Sequence, residues 1–368
     1  MMQFIDNNEL TPRNNDNLFG HNVNEQIFLD AWNSKCLPNS WLICGQRGIG
    51  KATLAYRIAR FVLATSINKH STFFENESQQ TLRIDPNHLV FQRVASGTHA
   101  DLKIVERNLI YNKKSRLVNE IPVDYVRDIK NFLSLTSSEG SWRVVIIDAI
   151  DELSIYGDNA ILKILEEPPK NALLLLISHV PNKLSSVISS RCRQLTMHSL
   201  SEKIILTLLK QQSIKLNDID SKSIARLSRG SIGKALSLIK SGGLTLYSDM
   251  IKLINDLPYL NIVNLHAFGD RVTQSDESFN IFIELFLEWF IVIINQINRQ
   301  KINNEIATGE SSIQKYLVKT IDIENWILIW EKINNLFNYT YTLNIDRKLV
   351  VINSFLIIER YISTLIRK

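Results

Sequence analysis

The chain has 368 residues, 45% hydrophobic and 21% charged, which is enough for two or three domains with separate cores and excludes a disordered polymer. Its formal charge of +5 is mildly basic. That suits work near nucleic acid but does not identify it, because many proteins without such a partner share it. The three cysteines, Cys36, Cys44 and Cys192, are widely spaced and form no C-x-x-C, which argues against a disulfide framework or a thiolate zinc site and for a reducing compartment.

The first stretch, MMQFIDNNELTPRNNDN, is polar and acidic where a secretory signal would be basic and then apolar. A short apolar run from Trp41 to Cys44 predicts a buried strand. It enters a glycine-rich turn, Gly45 to Gly50, and a helix follows whose face is marked by Leu54, Ile58, Phe61 and Val62. Residues 66–83 are polar and unpatterned, as in a surface loop or insertion. Beyond them LKIV, RVVIID and ALLLLIS predict strands, with helices over VDYVRDIKNFLSLT and NAILKILEE between them. Continuous apolar strands alternating with helices imply a parallel sheet covered on both faces.

From Ser201 to about Leu244 the pattern is helical only, in short pieces ending at Gly230 and at Gly242-Gly243, and from there to Lys368 it is nearly all amphipathic helix. The most apolar segment, Phe279 to Ile297, carries Glu284 and Glu288 one turn apart, which marks a packing helix and not a membrane span. The aromatic residues Phe286, Trp289, Phe290, Trp326, Trp330 and Phe337 fall at helix-packing spacings, as in a core or a subunit interface. The predicted fold class is α/β plus all-α: a parallel-sheet core over 1–199, a small helical domain over 200–243 and a C-terminal helical domain over 244–368. A soluble cytoplasmic protein is expected.

The turn after the first strand reads as a phosphate-binding loop, G-x-x-x-x-G-K-[ST]. Its glycines let backbone amides wrap phosphate oxygens, its lysine reaches the terminal phosphates, and its hydroxyl holds magnesium. Gly45, Gly48, Gly50 and Lys51 are present, but the hydroxyl position is Ala52, with Thr53 next to it. The second requirement, an apolar strand ending in an acid that reaches the magnesium, is met by Val144 to Asp148. The following position, where nucleotide triphosphatases carry a glutamate that activates water, is Ala149. Asp151 and Glu152 come too late to replace it and read as a helix cap or solvated charge. The candidate site for ATP or ADP with magnesium is therefore Gly45, Gly48, Gly50, Lys51, Thr53 and Asp148. The sequence leaves open whether it binds nucleotide or is an inherited strand-to-helix turn.

WLICGQRGIGKATLAYRIARF, HADLKIVER, IPVDYVRDIKNFL, WRVVIIDAIDEL, NAILKILEEPP, LLLLISHVPNKLSSVISSRCRQL and LNIDRKLVVINSF together resemble the bacterial DNA polymerase III clamp-loader subunits, of the delta prime type in particular, within the AAA+ ATPases. The resemblance implies a P-loop AAA+ core, a helical lid and a C-terminal collar. Hydrolysing members carry threonine where this chain has Ala52, glutamate where it has Ala149, and in a later G-S-x-R-x-A-L motif an arginine that senses phosphate. This chain reads Gly230-Ser231-Ile232-Gly233-Lys234-Ala235-Leu236, with glycine at the arginine position. Lys234 is adjacent, but one helical residue turns a side chain by roughly 100°. Little or no intrinsic ATPase is therefore expected.

Ser190-Arg191-Cys192 resembles the family's S-R-C motif. By that resemblance Arg191 is an arginine finger, acting in trans on a neighbour's ATP. The resemblance also implies partners: gamma/tau and delta subunits in a hetero-pentamer, and through the complex the sliding clamp and primer-template DNA, as a component of the DNA polymerase III holoenzyme, with no membrane. Family members often hold zinc on four cysteines in the region that here spans Ser66 to Asp85; none is present there, so zinc is not expected, and His70 and His88 read as surface residues. Pro168-Pro169 stops a helix, and the preceding Glu166 and Glu167 read as a solvated face. The alternatives are an ATP-hydrolysing gamma/tau-like motor that uses Asp151 or Glu152 as base, and a DNA-binding module that keeps the fold for its basic surface.

Overall fold

The computed structural model describes residues 11–67, 79–107, 120–138, 142–212, 216–299 and 305–366. These form two compact units, one of residues 1–204 with 230–233, the other of residues 205–229 with 234–368. His70 and most of the 66–83 segment lie outside the described residues.

The first unit is built on five strands, β1 (Ser40–Cys44), β2 (Leu102–Glu106), β3 (Arg143–Asp148), β4 (Ala172–Ser178) and β5 (Arg193–Thr196). They lie in the order β2-β3-β4-β1-β5, and every pairing is parallel. Parallel strands need crossovers. Ahead of the first strand lies α1 (Asn22–Asn33), and the crossovers are supplied by α2 (Lys51–Ile67), α3 (Leu89–Ser96), α4 (Val123–Ser134), α5 (Ile155–Glu166) and α6 (Ser186–Arg191).

The continuous apolar runs predicted as strands are apolar because each residue meets a covered face. Trp41, Ile43, Val144, Ile146, Leu173 and Leu175 enter one core with α2 and α3, while Leu42, Cys44, Val145, Ile147, Leu174 and Leu176 enter the other with α4 and α5. Two buried arginines on α2 secure the segment that precedes α1. Arg60 donates to the carbonyls of Arg13 (3.0 Å) and Asn15 (2.7 Å) and lies 4.3 Å from the centroid of the Phe91 ring, and Arg57 donates to the Asp16 carbonyl and pairs with Glu25. Burial lowers the Arg60 guanidinium to about 10, so it stays charged at neutral pH, satisfied by backbone oxygens.

The second unit is helical: α7 (Glu202–Gln211, which begins in the first unit), α8 (Asp218–Leu227), α9 (Ile232–Lys240), α10 (Gly243–Asn255), α11 (Ile262–Val272), α12 (Asp276–Arg299), α13 (Glu310–Thr320), α14 (Ile323–Thr342) and α15 (Arg347–Ile366). Its core holds the predicted aromatic set: Phe286, Trp289, Phe290, Trp326 and Phe337 are buried and Trp330 packs against them. Phe286 has ring neighbours Phe282 (5.2 Å), Phe290 (5.3 Å) and Phe355 (5.0 Å). A polar cluster lies beside it. The Glu310 carboxylate accepts from the Tyr247 hydroxyl, from the amides of Ile306 (2.9 Å) and Ala307 (3.2 Å) and from Gln314 (3.0 Å), whose own amide oxygen accepts from Gln296 (2.8 Å). No helix among the described residues is long and apolar enough to cross a membrane.

Because Phe286 is completely buried among other rings, Phe286→Ala is expected to lower stability by about 3–5 kcal/mol, read as a lower denaturant midpoint for the full chain.

Candidate functional site

The loop that follows β1 keeps the backbone of a phosphate cradle. Strand β1 is held at its end by Gly45 N–H on the Ser178 carbonyl (3.3 Å) and Met197 N–H on the Cys44 carbonyl (2.8 Å). The chain then passes through positive φ at Gly48 (77°) and Gly50 (107°), a region that side chains disfavour, and α2 starts with Leu54 N–H on the Gly50 carbonyl. His21 braces the turn from below through its Nε2, 3.0 Å from the Ile49 carbonyl.

Lys51, 3% exposed, turns back on this loop: its ammonium donates to the carbonyls of Gly45 and Gln46, both at 2.6 Å. Burial pushes it down to about 8, against the attraction of Asp148 and Asp151. Residues 230–233 lie on the same loop. The Ser231 hydroxyl donates to the Arg47 carbonyl (2.8 Å) and Gly233 N–H to the Gly48 carbonyl (3.0 Å). A Cβ on Gly233 would stand 2.9 Å from Gly48 Cα, so the position where the sequence resemblance implies an arginine has no room for a side chain unless the loop shifts. Lys234 does not substitute for it, because its ammonium lies 2.6 Å from Glu288 and 3.1 Å from Glu284 on α12.

Asp148 ends β3 at the C-terminal edge of the sheet, where α/β proteins gather their ligand groups. Burial, reinforced by Glu106 and opposed by Lys51, raises its carboxyl to about 6. Beside it stands His179, which the sequence analysis did not single out. Its Nε2 is 3.9 Å from Asp148, and burial, with the Lys51 and Arg47 cations, depresses the ring to about 4. Its only signal in the sequence was its place directly after a predicted strand.

Asp151 is committed elsewhere: its carboxylate accepts from the Ser178 hydroxyl (2.7 Å) and from the amides of His179 and Val180 (3.1 Å). Glu152 pairs with Arg107 at 3.4 Å. Both acids therefore have partners of their own. Thr53 is buried on α2. His88 caps α3 by accepting from Val90 N–H, a structural use consistent with its reading as a non-ligand. Among the described residues, no group of three or more His, Cys, Asp or Glu could hold a metal ion.

The groups present do not fit a magnesium triphosphate held for cleavage. Ala52 offers no oxygen to the metal, Ala149 is buried and apolar, and Lys51 is already bonded to two carbonyls. What the loop offers an anion is its backbone amides and an ammonium that would have to leave its present partners.

Arg191 stands apart from these groups, as the last residue of α6. That helix begins with the Ser185 side chain accepting from Ile188 N–H (3.4 Å), and its end is anchored by the buried Ile188 and Cys192. Burial pushes the Cys192 thiol up to about 12, so it packs as a small apolar group. The Arg191 guanidinium donates to the Val187 carbonyl (3.1 Å) and to Glu166 (2.9 Å). Glu166 and Glu167 are both exposed, and Glu166 in addition has this cationic partner.

Two measurements test this geometry. Gly233→Ala forces the loop contact apart and is expected to cost about 1–3 kcal/mol of stability, with shifted amide resonances at Gly48. In an NMR titration His179 should stay neutral until about pH 4, and Asp148 should titrate near pH 6. His179, depressed below its ordinary 6.5, adds stability as pH rises from 4 to 6.5, while Asp148, raised from 3.8, removes it as pH rises to 6, so the two slopes oppose each other. Lys51→Met removes a cation that lowers both, and both midpoints should move up.

The chain is similar to known DNA polymerase III subunits. The family model described as "DNA polymerase III, delta subunit" matches residues 20–201. The gamma subunit of DNA polymerase III from Buchnera aphidicola subsp. Acyrthosiphon pisum is 24% identical over 309 residues, 81% of this chain and 74% of that protein. The delta' subunit from Pseudomonas aeruginosa is 33% identical over 156 residues, which span 42% of each. A gamma subunit-related protein of known structure from Thermotoga maritima superposes with a TM-score of 0.40 at 17% identity, covering 91% of this chain and 99% of that one. The relatives' names mix gamma, tau and delta' roles. Over residues 20–201 the chain is similar to the clamp-loader subunits of DNA polymerase III.

Proposed function

We propose that this chain is the non-hydrolysing, delta prime-type subunit of a DNA polymerase III clamp loader. The observation that carries the reading is the closed phosphate loop, in which the Lys51 ammonium is bonded to the Gly45 and Gln46 carbonyls and residues 231–233 are packed on the same turn. Such a loop lacks the metal hydroxyl, the water-activating carboxylate and the sensing arginine, and Asp151 and Glu152 are engaged in other bonds. These facts favour it over a gamma/tau-like motor.

In this reading the helices of residues 200–243 act as the lid and those of 244–368 as the collar, through which the subunit joins gamma/tau and delta in a cytoplasmic hetero-pentamer. Its contribution to chemistry is Arg191, an always protonated fork presented to the γ-phosphoryl group of ATP bound to the neighbouring subunit. Charge spreads over the phosphoryl oxygens in the transition state, and a fixed guanidinium stabilises it there without having to reorganise. Fingers of this kind accelerate nucleotide hydrolysis by roughly 10³–10⁵ in other systems. The neighbour's ATP state would thereby be coupled to assembly of the ring that loads the sliding clamp onto primed DNA.

The deciding experiment has two parts. Calorimetric titration of the isolated, nucleotide-free chain with ATP and magnesium, with released phosphate assayed on the same sample, should give no steady phosphate release. Release that disappears in Lys51→Ala would make the chain a motor. In the reconstituted complex, Arg191→Ala is expected to assemble normally and to lower DNA-stimulated ATP turnover at least tenfold. Unchanged turnover and clamp loading would remove Arg191 from the role.

A further inference from the structure

Arg191 is held from two sides. Helix α5 stops at Glu166 because Pro168 and Pro169 follow; a residue before proline is driven out of the helical region, and Glu167 sits at φ −127°, ψ 68°. The Glu166 carboxylate is therefore the last acid carried on regular helix. On the other side α6 fixes the Arg191 backbone through the Ser185 cap and the buried Ile188 and Cys192. Between them, one terminal nitrogen of the guanidinium donates to the Val187 carbonyl at 3.1 Å and the other donates to Glu166 Oε1 at 2.9 Å. Those two bonds use two of the five N–H donors of an arginine, and three remain. The side chain is 35% exposed and that of Glu166 50%, so the pair is open to an incoming oxyanion.

We infer that Glu166 is a positioning residue for Arg191: with the Val187 carbonyl, its carboxylate fixes the guanidinium in one orientation and leaves three N–H donors for a phosphoryl group on an adjacent subunit. The inference rests on the finger reading and deepens it. An unrestrained arginine would have to give up its rotamer freedom during the reaction, whereas one already bonded at two nitrogens has lost it beforehand. A half-exposed pair is weak, so the gain is small, a factor of about two to five in turnover. Because a finger acts on charge that appears only in the transition state, the gain belongs to kcat and not to KM.

The test is a double-mutant cycle in the reconstituted complex, with kcat and KM for ATP measured separately. Glu166→Ala is expected to lower kcat two- to fivefold at unchanged KM. Glu166→Gln, which keeps an acceptor oxygen in place, should recover most of the loss. Glu166→Ala combined with Arg191→Ala should be no worse than Arg191→Ala alone. Turnover unaffected by Glu166→Ala, or losses that simply multiply in the double variant, would overturn the positioning role and leave the finger intact. Arg191→Ala without effect would remove the finger itself, and the positioning role with it.

Discussion

Everything in the first unit follows from covering both faces of a parallel sheet. Parallel strands cannot be joined by tight turns, so each return must pass through a crossover, and every crossover brings the chain back to start the next strand at the same edge. The turns after β1, β3 and β4 therefore all lie at the other edge. Lys51, Asp148, Asp151 and His179 are far apart in sequence and become neighbours there because each follows or ends a strand. The alternation of Trp41, Ile43 against Leu42, Cys44 between two cores is the same constraint seen at the level of side chains.

At that edge the energetic problem is charge under cover. Lys51, Asp148 and His179 share a partly dry space, and the shifts described above are what burial does to a cation, an anion and an imidazole set together. The ammonium resolves its desolvation by taking two backbone oxygens. Asp151 resolves its own by taking a hydroxyl and two amides from the end of β4. Those three donors tie the turn after β3 to the end of β4.

Much of this was legible in the sequence, and the parts that were not share a cause. Strands such as RVVIID and ALLLLIS could be read because an apolar run between helices has few other uses, and the phosphate loop because its glycines sit at a spacing that only that turn requires. The aromatic residues of α12 and α14 were legible as packing residues from their helical period. The pairing of Glu166 with Arg191 was not, because it joins the ends of two helices separated by a strand, and an acid before Pro-Pro looks the same whether solvated or bonded. The orientation of Lys51 was equally hidden: the motif specifies a lysine and says nothing about which oxygens it holds. His179 carried no signal beyond its place after a strand, and its significance comes from what surrounds it.

The cluster of Tyr247, Glu310, Gln314 and Gln296 in the helical unit has a bearing on uniqueness. An aromatic and aliphatic interface tolerates small slides of one helix on another, since apolar contact is nearly indifferent to direction. The Glu310 carboxylate is not indifferent, because the hydroxyl and amides that meet it come from α10, from α13 itself and from the turn before it. The turn amides and Gln314 travel with α13, but moving it along its axis by one turn would strand the Tyr247 hydroxyl of α10 and the Gln296 amide of α12. The cluster therefore acts as a key that admits one register of the helices, at a site where greasy packing alone would have accepted several.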